Sequence, residues 1–407
     1  MSLKTLAVFT VVLLTCVTDH PVAAQTLEAF AVLPADTFEP GPTSGQFAAA
    51  ANGRVPPFVN RQPVQGVSSV LRTSKGEFLV MSDNGFGNKA NSPDYVLRVH
   101  RISPDFKTKT GGTGAVSVTS FITLHDPDFK VNFPIVADLS TYPASAIPVD
   151  PSIIANRLLT GWDFDIESLR EAHDGTLWFG DEFGPFLLHT DSAGRVLEAP
   201  IPLPGVSAPQ NPFLGGATPN LPTSRGFEGM AITPNGKTLY PLLEGSLTTD
   251  PDQRRLIINE FDIDARQYTG RQWFYRLEAP ISTGQSIGDM TAVSKSVFVV
   301  IERDGGQGAT ALFKRIYVVD LDEVDGSGFL VKRQVANLMQ LSDPHNLGGL
   351  GSTFTFPFVT IESVIPLDDR RLGVLNDNNY PGSSGRTPGQ PDNNEFIIIK
   401  LDQPLPH

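Results

Sequence analysis

Apolar and polar side chains follow the same order in five segments of the chain. Each segment has a short apolar stretch, a turn near Gly or Asp, a second apolar stretch and an acidic residue. Paired short apolar stretches around a tight turn predict a β-hairpin in every segment. The five segments are GVSSVLRTSKGEFLVMSDNG (66–85), DIESLREAHDGTLWFGDEFG (165–184), GFEGMAITPNGKTLYPLLEG (226–245), GDMTAVSKSVFVVIERDG (288–305) and TIESVIPLDDRRLGVLNDNN (360–379).

Further strands are predicted after most of these hairpins, which gives four strands per unit. Units of about 60 residues repeated around a ring predict an all-β protein with the β-propeller fold. The repeats count five blades, and a sixth is possible in 123–165, although that segment fits a long insertion better. Only one predicted strand, 395–401, follows the last hairpin, so the last unit lacks its fourth strand. The N-terminal strand 27–33 is predicted to supply this outer strand and close the ring. The remaining predicted strands are 95–102, 115–122, 256–262, 271–277, 315–321 and 329–335.

Acidic residues recur at the open end of the predicted hairpins. Glu167 and Glu182 are equidistant from the turn at 174–175, so a hairpin closed there places them opposite each other. The corresponding pairs are Ser68 with Asp83, Glu228 with Glu244, Asp289 with Glu302, and Glu362 with Asp377. If these strands line the central channel, nine carboxylates converge at one mouth of the channel: Asp83, Glu167, Glu182, Glu228, Glu244, Asp289, Glu302, Glu362 and Asp377.

Such a concentration of carboxylates favours a metal site. Like charges that face each other in a sheet are destabilising, and their clustering raises pKa values or requires cations. Ca²⁺ takes 6–8 oxygen ligands and is the natural occupant outside the cell. Neutral amide oxygens are available from Asn84, Asn376, Asn378 and Asn379. The alternative is that each acid only hydrogen-bonds the backbone of a neighbouring blade.

Three arginines are candidates for binding an anionic substrate above the metal. Arg225 and Arg303 lie close in sequence to Glu228 and Glu302, and Arg386 follows the last hairpin. A guanidinium group matches the geometry of carboxylate and phosphate groups. The first two arginines could instead form internal salt bridges with the neighbouring acids.

Charge and motif content exclude several functions. The 407 residues carry a formal net charge of −13, which argues against nucleic acid or an anionic membrane as the partner. The chain has no HExxH motif and no complete G-x-x-x-x-G-K-[ST] phosphate loop, and no His is placed to activate the serines near the acids, so zincin, P-loop and serine-esterase chemistry have no support.

The N-terminal segment is predicted to be a secretory signal peptide. Lys4 precedes an apolar run from Leu6 to Val17, and small residues end at Ala24, where cleavage is expected. Export to the periplasm or the medium follows, with 25–407 as a single domain. The mature chain then has no Cys, because Cys16 is the only one. A lipoprotein signal at Cys16 is the alternative, and no stable membrane insertion is expected.

Several of these segments resemble the phytase-like family, which is described by the esterase-like activity of phytase. The resemblance covers about 60–402 and implies a secreted propeller that hydrolyses phosphate esters. The chain is also distantly similar to the calcium-dependent propeller phytases. The segments that carry it are GVSSV (66–70), MSDNG (81–85), DFDIES (163–168), GDEFG (180–184), GFEGM (226–230), IES (361–363), LNDNN (375–379) and DNNEF (392–396).

The leading hypothesis is therefore a calcium-dependent hydrolase of small phosphate esters, acting as a monomer. Metal ions would bind phosphate oxygens and acidify the attacking water, and a free carboxylate would act as base. The residues expected to be catalytic are Glu167, Glu228, Asp289 and Glu362. Two alternatives stay open, a carboxylic ester or lactone hydrolase on the same site and a binding propeller that calcium only stabilises.

Overall fold

The structure, a computed structural model, describes residues 25–73, 75–281 and 284–407. The predicted signal peptide and Cys16 lie outside these residues. The described residues form 24 strands, one α-helix, α1 (Pro151–Asn156), and three 3₁₀ turns, Lys89–Asn91, Val136–Asp138 and Gly308–Thr310. The strands are β1 (Thr26–Leu33), β2 (Phe38–Pro40), β3 (Arg61–Pro63), β4 (Val67–Arg72), β5 (Phe78–Ser82), β6 (Arg98–Asp105), β7 (Ala115–Thr123), β8 (Ile166–Glu171), β9 (Leu177–Asp181), β10 (Phe186–Thr190), β11 (Ile201–Pro202), β12 (Phe227–Ile232), β13 (Thr238–Leu243), β14 (Arg255–Asp262), β15 (Gln267–Arg276), β16 (Ser286–Ala292), β17 (Val297–Arg303), β18 (Lys314–Val324), β19 (Leu330–Asn337), β20 (Leu341–Ser342), β21 (Thr353–Phe354), β22 (Thr360–Pro366), β23 (Arg371–Asp377) and β24 (Asn394–Lys400).

The strands form antiparallel sets of four, as the predicted β-propeller requires. Three sets are separate sheets, β8–β11, β12–β15 and β16–β19. Two further sets, β4–β7 and β22–β24 with β1, are joined through a single bridge between Val32 and Ala115. The first strands of the sets contact one another in the cyclic order β4, β8, β12, β16, β22 and back to β4. These first strands therefore form the inner ring of the propeller.

The N-terminal strand completes the last set of four. β1 pairs antiparallel with β24 over Thr26 to Leu33, so the two ends of the described chain lie side by side. Leu27, Ala29, Ala31 and Leu33 are buried and alternate with partly exposed residues, which is the pattern of a strand with one face on the core. Strand β1 thus occupies the outer position predicted from the sequence.

The core lies between neighbouring sets of strands. One apolar cluster joins the first and second sets and includes Leu79, Leu169 and Phe186. Residues 131–159, which contain α1, add Val136 and Ile153 to this cluster. The segment predicted as a long insertion is therefore packed onto the propeller and contains no strand of its own.

A β-bulge near the open end of each inner hairpin corrects the predicted register. The residue left out of the pairing is Ser68, Glu167, Glu228, Gly288 and Glu362 in the five hairpins. Consequently Glu182 donates its backbone N–H to Asp165 (2.9 Å), not to the residue predicted to face it. Because a bulge re-aims the side chain it carries, three glutamates turn out of the ladder toward the channel.

Candidate functional site

Carboxylates from four of the hairpins meet in a cavity of about 190 Å³ at one end of the inner ring. Seven of them are supplied by the bulged glutamates of β8, β12 and β22 and by the acids that follow β5, β9 and β13 or end β23. Seven of the nine predicted carboxylates line the cavity, together with one that was not predicted: Asp83, Glu167, Glu182, Glu228, Glu244, Glu362 and Asp377, with Asp165 in addition. We call these eight side chains the acidic cluster.

Asp289 does not belong to the acidic cluster, which corrects its predicted catalytic and metal-binding role. In the fourth hairpin Gly288 has the bulge position, and Asp289 takes the next place in the strand. Its carboxylate is fully buried, accepts a hydrogen bond from Arg170 Nη2 at 2.9 Å and another from the Val364 backbone N–H at 3.0 Å. Asp289 therefore ties inner strands together and is not available to a ligand.

Glu302 is likewise placed away from the cavity, because the one-residue displacement also affects the second strand. It accepts hydrogen bonds from the Tyr275 hydroxyl at 2.9 Å and from Lys332 Nζ at 2.7 Å. Arg303 pairs with Ser286 and takes the place that Glu182, Glu244 and Asp377 have in other hairpins. The predicted metal-binding role of Glu302 is wrong in this geometry.

Arg303 faces three glutamates of the acidic cluster. Its Nη2 lies 3.0 Å from Glu362 Oε1, 3.7 Å from Glu228 Oε1 and 3.6 Å from Glu244 Oε1. The side chain is 9% exposed, so a buried positive charge balances part of the negative charge. Arg303 thus forms the internal salt bridges that were the alternative to anion binding, and it also lines the cavity. Binding of a substrate by Arg303 stays a prediction.

Of the other two predicted arginines, one lines the cavity and one does not. Arg225 lines the cavity and pairs with Glu244, and its side chain is 39% exposed. Arg386 instead donates two hydrogen bonds to Glu395 and one to the Thr355 carbonyl oxygen. Since Arg386 does not line the cavity, its predicted substrate-binding role is not supported by its position.

The sequence pattern does not predict Asp165 as a site residue, because Asp165 precedes the first residue of β8 and stands at the start of the repeated segment. Its carboxylate accepts a hydrogen bond from the Asn84 side chain at 2.8 Å. Asn84 and Asn379 line the cavity, whereas Asn376 and Asn378 hydrogen-bond the backbone of Asn393 and Asp392. One signal for Asp165 was available in the sequence. A carboxylate stands at this position of the repeat, where other hairpins have Gly66 and Gly226.

Two overlapping groups of three carboxylates could hold a metal ion. Asp165, Glu167 and Glu182 each offer an oxygen within 4.8 Å of the others, and so do Glu182, Glu228 and Glu244. Glu182 belongs to both groups. Its Oε1, Glu167 Oε2 and Glu228 Oε1 are buried and accept no hydrogen bond.

These oxygens show whether a cation suits the site. A buried carboxylate oxygen without a partner costs free energy, and a hard divalent cation is the ligand that a set of such oxygens satisfies. The carboxylates of the two groups form an all-oxygen donor set. The residues present therefore fit a hard divalent metal.

Burial and mutual repulsion raise the pKa values of the acidic cluster. Burial first, then the charge of Asp377, raises the pKa of Glu362 to about 8. Burial also raises the pKa of Asp165 and of Asp377 to about 6. The pKa of Glu167 and Glu182 is raised well above the usual range by burial and by neighbouring carboxylates. Without a cation, part of the cluster is therefore protonated at neutral pH.

Fold and site together define a β-propeller with a metal-compatible acidic mouth, and the family follows from the sequence. The family model described as "Phytase-like: Esterase-like activity of phytase" matches residues 62–380. The chain belongs to this family. Its description points to a hydrolase.

One curated relative matches part of the chain. An "Uncharacterized secreted protein" of Arthroderma benhamiae is 25% identical over 184 residues, which are 37% of this chain and 36% of the relative. The match thus spans about a third of the relative's length. Among the described residues, no helix is long and apolar enough to cross a membrane.

Solved structures resemble the fold. A luciferin-regenerating enzyme is 14% identical with a TM-score of 0.38, covering 85% of this chain and 81% of its own. A PQQ-bound aldose sugar dehydrogenase from Streptomyces coelicolor is 9% identical with a TM-score of 0.33, covering 91% and 99%. A protein from Lactobacillus plantarum is 12% identical with a TM-score of 0.38, covering 94% and 97%.

Proposed function

We propose that this protein is a secreted or periplasmic hydrolase of small phosphate esters that depends on Ca²⁺ at the acidic cluster. The observation that carries the proposal is the set of buried oxygens on Glu167, Glu182 and Glu228 that accept no hydrogen bond. Family membership supports hydrolysis of an ester. Ca²⁺ is proposed because the donors are all oxygens and because extracellular calcium is abundant enough for sites of modest affinity.

The metal would be held by the two groups that share Glu182. Asp165 and Glu167 would complete one group, and Glu228 and Glu244 the other. Bound there, a divalent ion would polarise a phosphoryl oxygen and lower the pKa of a water molecule.

Two arginines and one carboxylate would bind the substrate, position the glutamates and accept a proton. Arg225, with its partly exposed guanidinium group, would bind a phosphate oxygen and orient the ester. Arg303 would keep three glutamates charged and in place. Glu362 Oε2, which accepts a hydrogen bond from Ser68 Oγ at 3.1 Å, would take the proton of the attacking water.

The deciding experiment measures phosphate release from a panel of phosphomonoesters and phosphodiesters, with excess calcium and with a chelator. We expect turnover that calcium restores after chelation, and a loss of about 100-fold or more in kcat for Glu228→Gln. Glu323→Gln is the matched control, because Glu323 is a surface residue paired with Arg333. No phosphate release from any ester would refute the proposal.

Two alternatives have distinct outcomes in the same assay. Turnover of carboxylic esters or lactones alone would make the protein a carboxylic ester hydrolase. Calcium that raises the melting temperature while no ester is hydrolysed would make it a binding propeller. The elution volume on size-exclusion chromatography tests the expected monomer.

A further inference from the structure

A groove of about 380 Å³ adjoins the acidic cluster. Both cavities are lined by Asp83, Gly87 and Asn379, so a molecule bound at the cluster can extend into the groove. A pocket of this size accommodates a small organic group. The other wall residues include Ala48, Ala49, Ala51, Phe86, Tyr380 and Pro381.

The groove is lined mostly by apolar side chains and glycines, its polar side chains include Asp83, Asn91 and Ser383, and it has no basic side chain among the described residues that line it. Three alanines form one wall, and Ala49 is exposed. Tyr380 donates its hydroxyl to Asp36 at 2.9 Å, so it can offer the groove only its ring and backbone. A group with negative charges would meet no positive side chain there and would face the carboxylate of Asp83, whereas an apolar group would lose contact with water.

The walls are held in place by the surrounding structure. The Asn52 side-chain amide donates to the Pro381 and Gly382 carbonyl oxygens at 2.8 and 2.9 Å, which joins the two sides of the groove. The Phe86 ring lies 5.5 Å from Tyr95 and 6.3 Å from Phe58, in an aromatic cluster beneath the groove. A pre-formed pocket costs little to order when a ligand binds.

Positive charge near the reacting group is also limited. The cavity of the acidic cluster contains two arginines, and Arg303 already faces three glutamates. Of these two arginines, only Arg225 is exposed enough to meet an incoming anion. A substrate with many phosphate groups would therefore have most of its charges unpaired.

We infer that the groove binds the alcohol part of the ester and selects a single phosphate on a neutral, apolar group, such as an aryl or branched alkyl phosphate. This inference rests on the proposed function and specifies its substrate class. Polyphosphorylated sugars and cyclitols are predicted to be poor substrates in spite of the family's name.

The test compares kcat/KM for phenyl phosphate, methyl phosphate and phytate, using the whole mature protein with calcium. We expect phenyl phosphate to exceed phytate by about 100-fold or more, and the ratio of phenyl to methyl phosphate to fall about tenfold in Ala49→Trp, which fills the groove. Ala49→Arg should raise the relative rate on phytate. Ala50→Trp and Ala50→Arg are the controls, because Ala50 is exposed but does not line the groove.

Each outcome decides a different point. A preference for phytate, or an unchanged phenyl-to-methyl ratio in Ala49→Trp, would overturn the groove assignment and leave phosphate-ester hydrolysis intact. Absence of phosphate release from all three compounds and from the wider panel would overturn the proposed function and this inference together. Equal effects of the Ala49 and Ala50 substitutions would also contradict the assignment.

Discussion

Glu182 is shared by both groups of carboxylates, and its Oε1 is buried without a hydrogen-bond partner. A negative charge in this position is costly in the metal-free protein and useful only when a cation is bound. The neutral isostere therefore has opposite effects in the two states, which makes this residue a sharp probe of the site.

For Glu182→Gln we predict a higher melting temperature in the presence of a chelator and a calcium affinity reduced about tenfold or more. The first effect arises because Gln removes the free-energy cost of keeping a buried carboxyl group either charged or protonated at neutral pH, and the second because a shared ligand is lost. Calorimetry in chelator and calcium titration measure them. Glu323→Gln should change neither quantity, and a destabilised metal-free Glu182→Gln would contradict the prediction.

The bulge decides which single residue of each hairpin faces the cavity. Glu167, Glu228 and Glu362 have this position in three hairpins, while Ser68 and Gly288 have it in the others. Aligning the repeats on their acids matched Asp289 to Glu228 and displaced the fourth hairpin by one residue. Aligning the apolar residues that follow, Met230 with Met290, gives the observed register and was available from the sequence.

At the scale of strands, the Asp289–Arg170 pair joins inner strands of different sets. Arg170 Nη2 donates to Asp289 and to the Met290 carbonyl oxygen (2.8 Å), and Nη1 donates to Ser69 Oγ (2.9 Å). The strands β4, β8 and β16 are thereby connected through one guanidinium group. Such an ion pair inside the ring is structural, since both side chains are almost fully buried.

We predict that Asp289→Ala lowers the free energy of unfolding by about 3–5 kcal/mol, because Arg170 is left buried without its counter-charge. Calcium affinity of the folded variant should stay within about twofold of the wild type, since Asp289 is outside the cluster. Urea denaturation and calcium titration measure the two effects. Arg170→Met with Asp289→Leu should recover much of the lost stability, and a large loss of calcium affinity in Asp289→Ala would contradict the assignment.

At the scale of the whole molecule, the acidic cluster makes stability depend on pH. Burial raises the pKa of Glu362 to about 8 and the pKa of Asp165 and Asp377 to about 6. These folded-state values exceed those of the unfolded chain, so the folded metal-free protein binds more protons. Its stability is therefore present at low pH and is lost as the pH rises through about 6 to 8.

We predict that the melting temperature in chelator falls as the pH is raised from about 5.5 to 8.5. Excess calcium should flatten this dependence, because the ion replaces the protons as the source of positive charge. Scanning calorimetry at several pH values, with and without calcium, measures both curves. A melting temperature in chelator that rises over this range would be inconsistent with the charged cluster.

Local patterns determined the β-propeller fold, the hairpins, the outer position of β1 and most acids of the cluster. Alternation of apolar side chains and the distance of each acid from its turn are properties of neighbouring residues, and these can be read along the chain. Tertiary structure alone decided which acids lie close enough to share a cation and which become structural. Those outcomes depend on bulges, on Arg303 in the place of an acid, and on side chains such as Arg170 that meet Asp289 from another set of strands. Long-range electrostatic pairing of this kind is fixed only when the ring closes, because the partners are far apart in sequence.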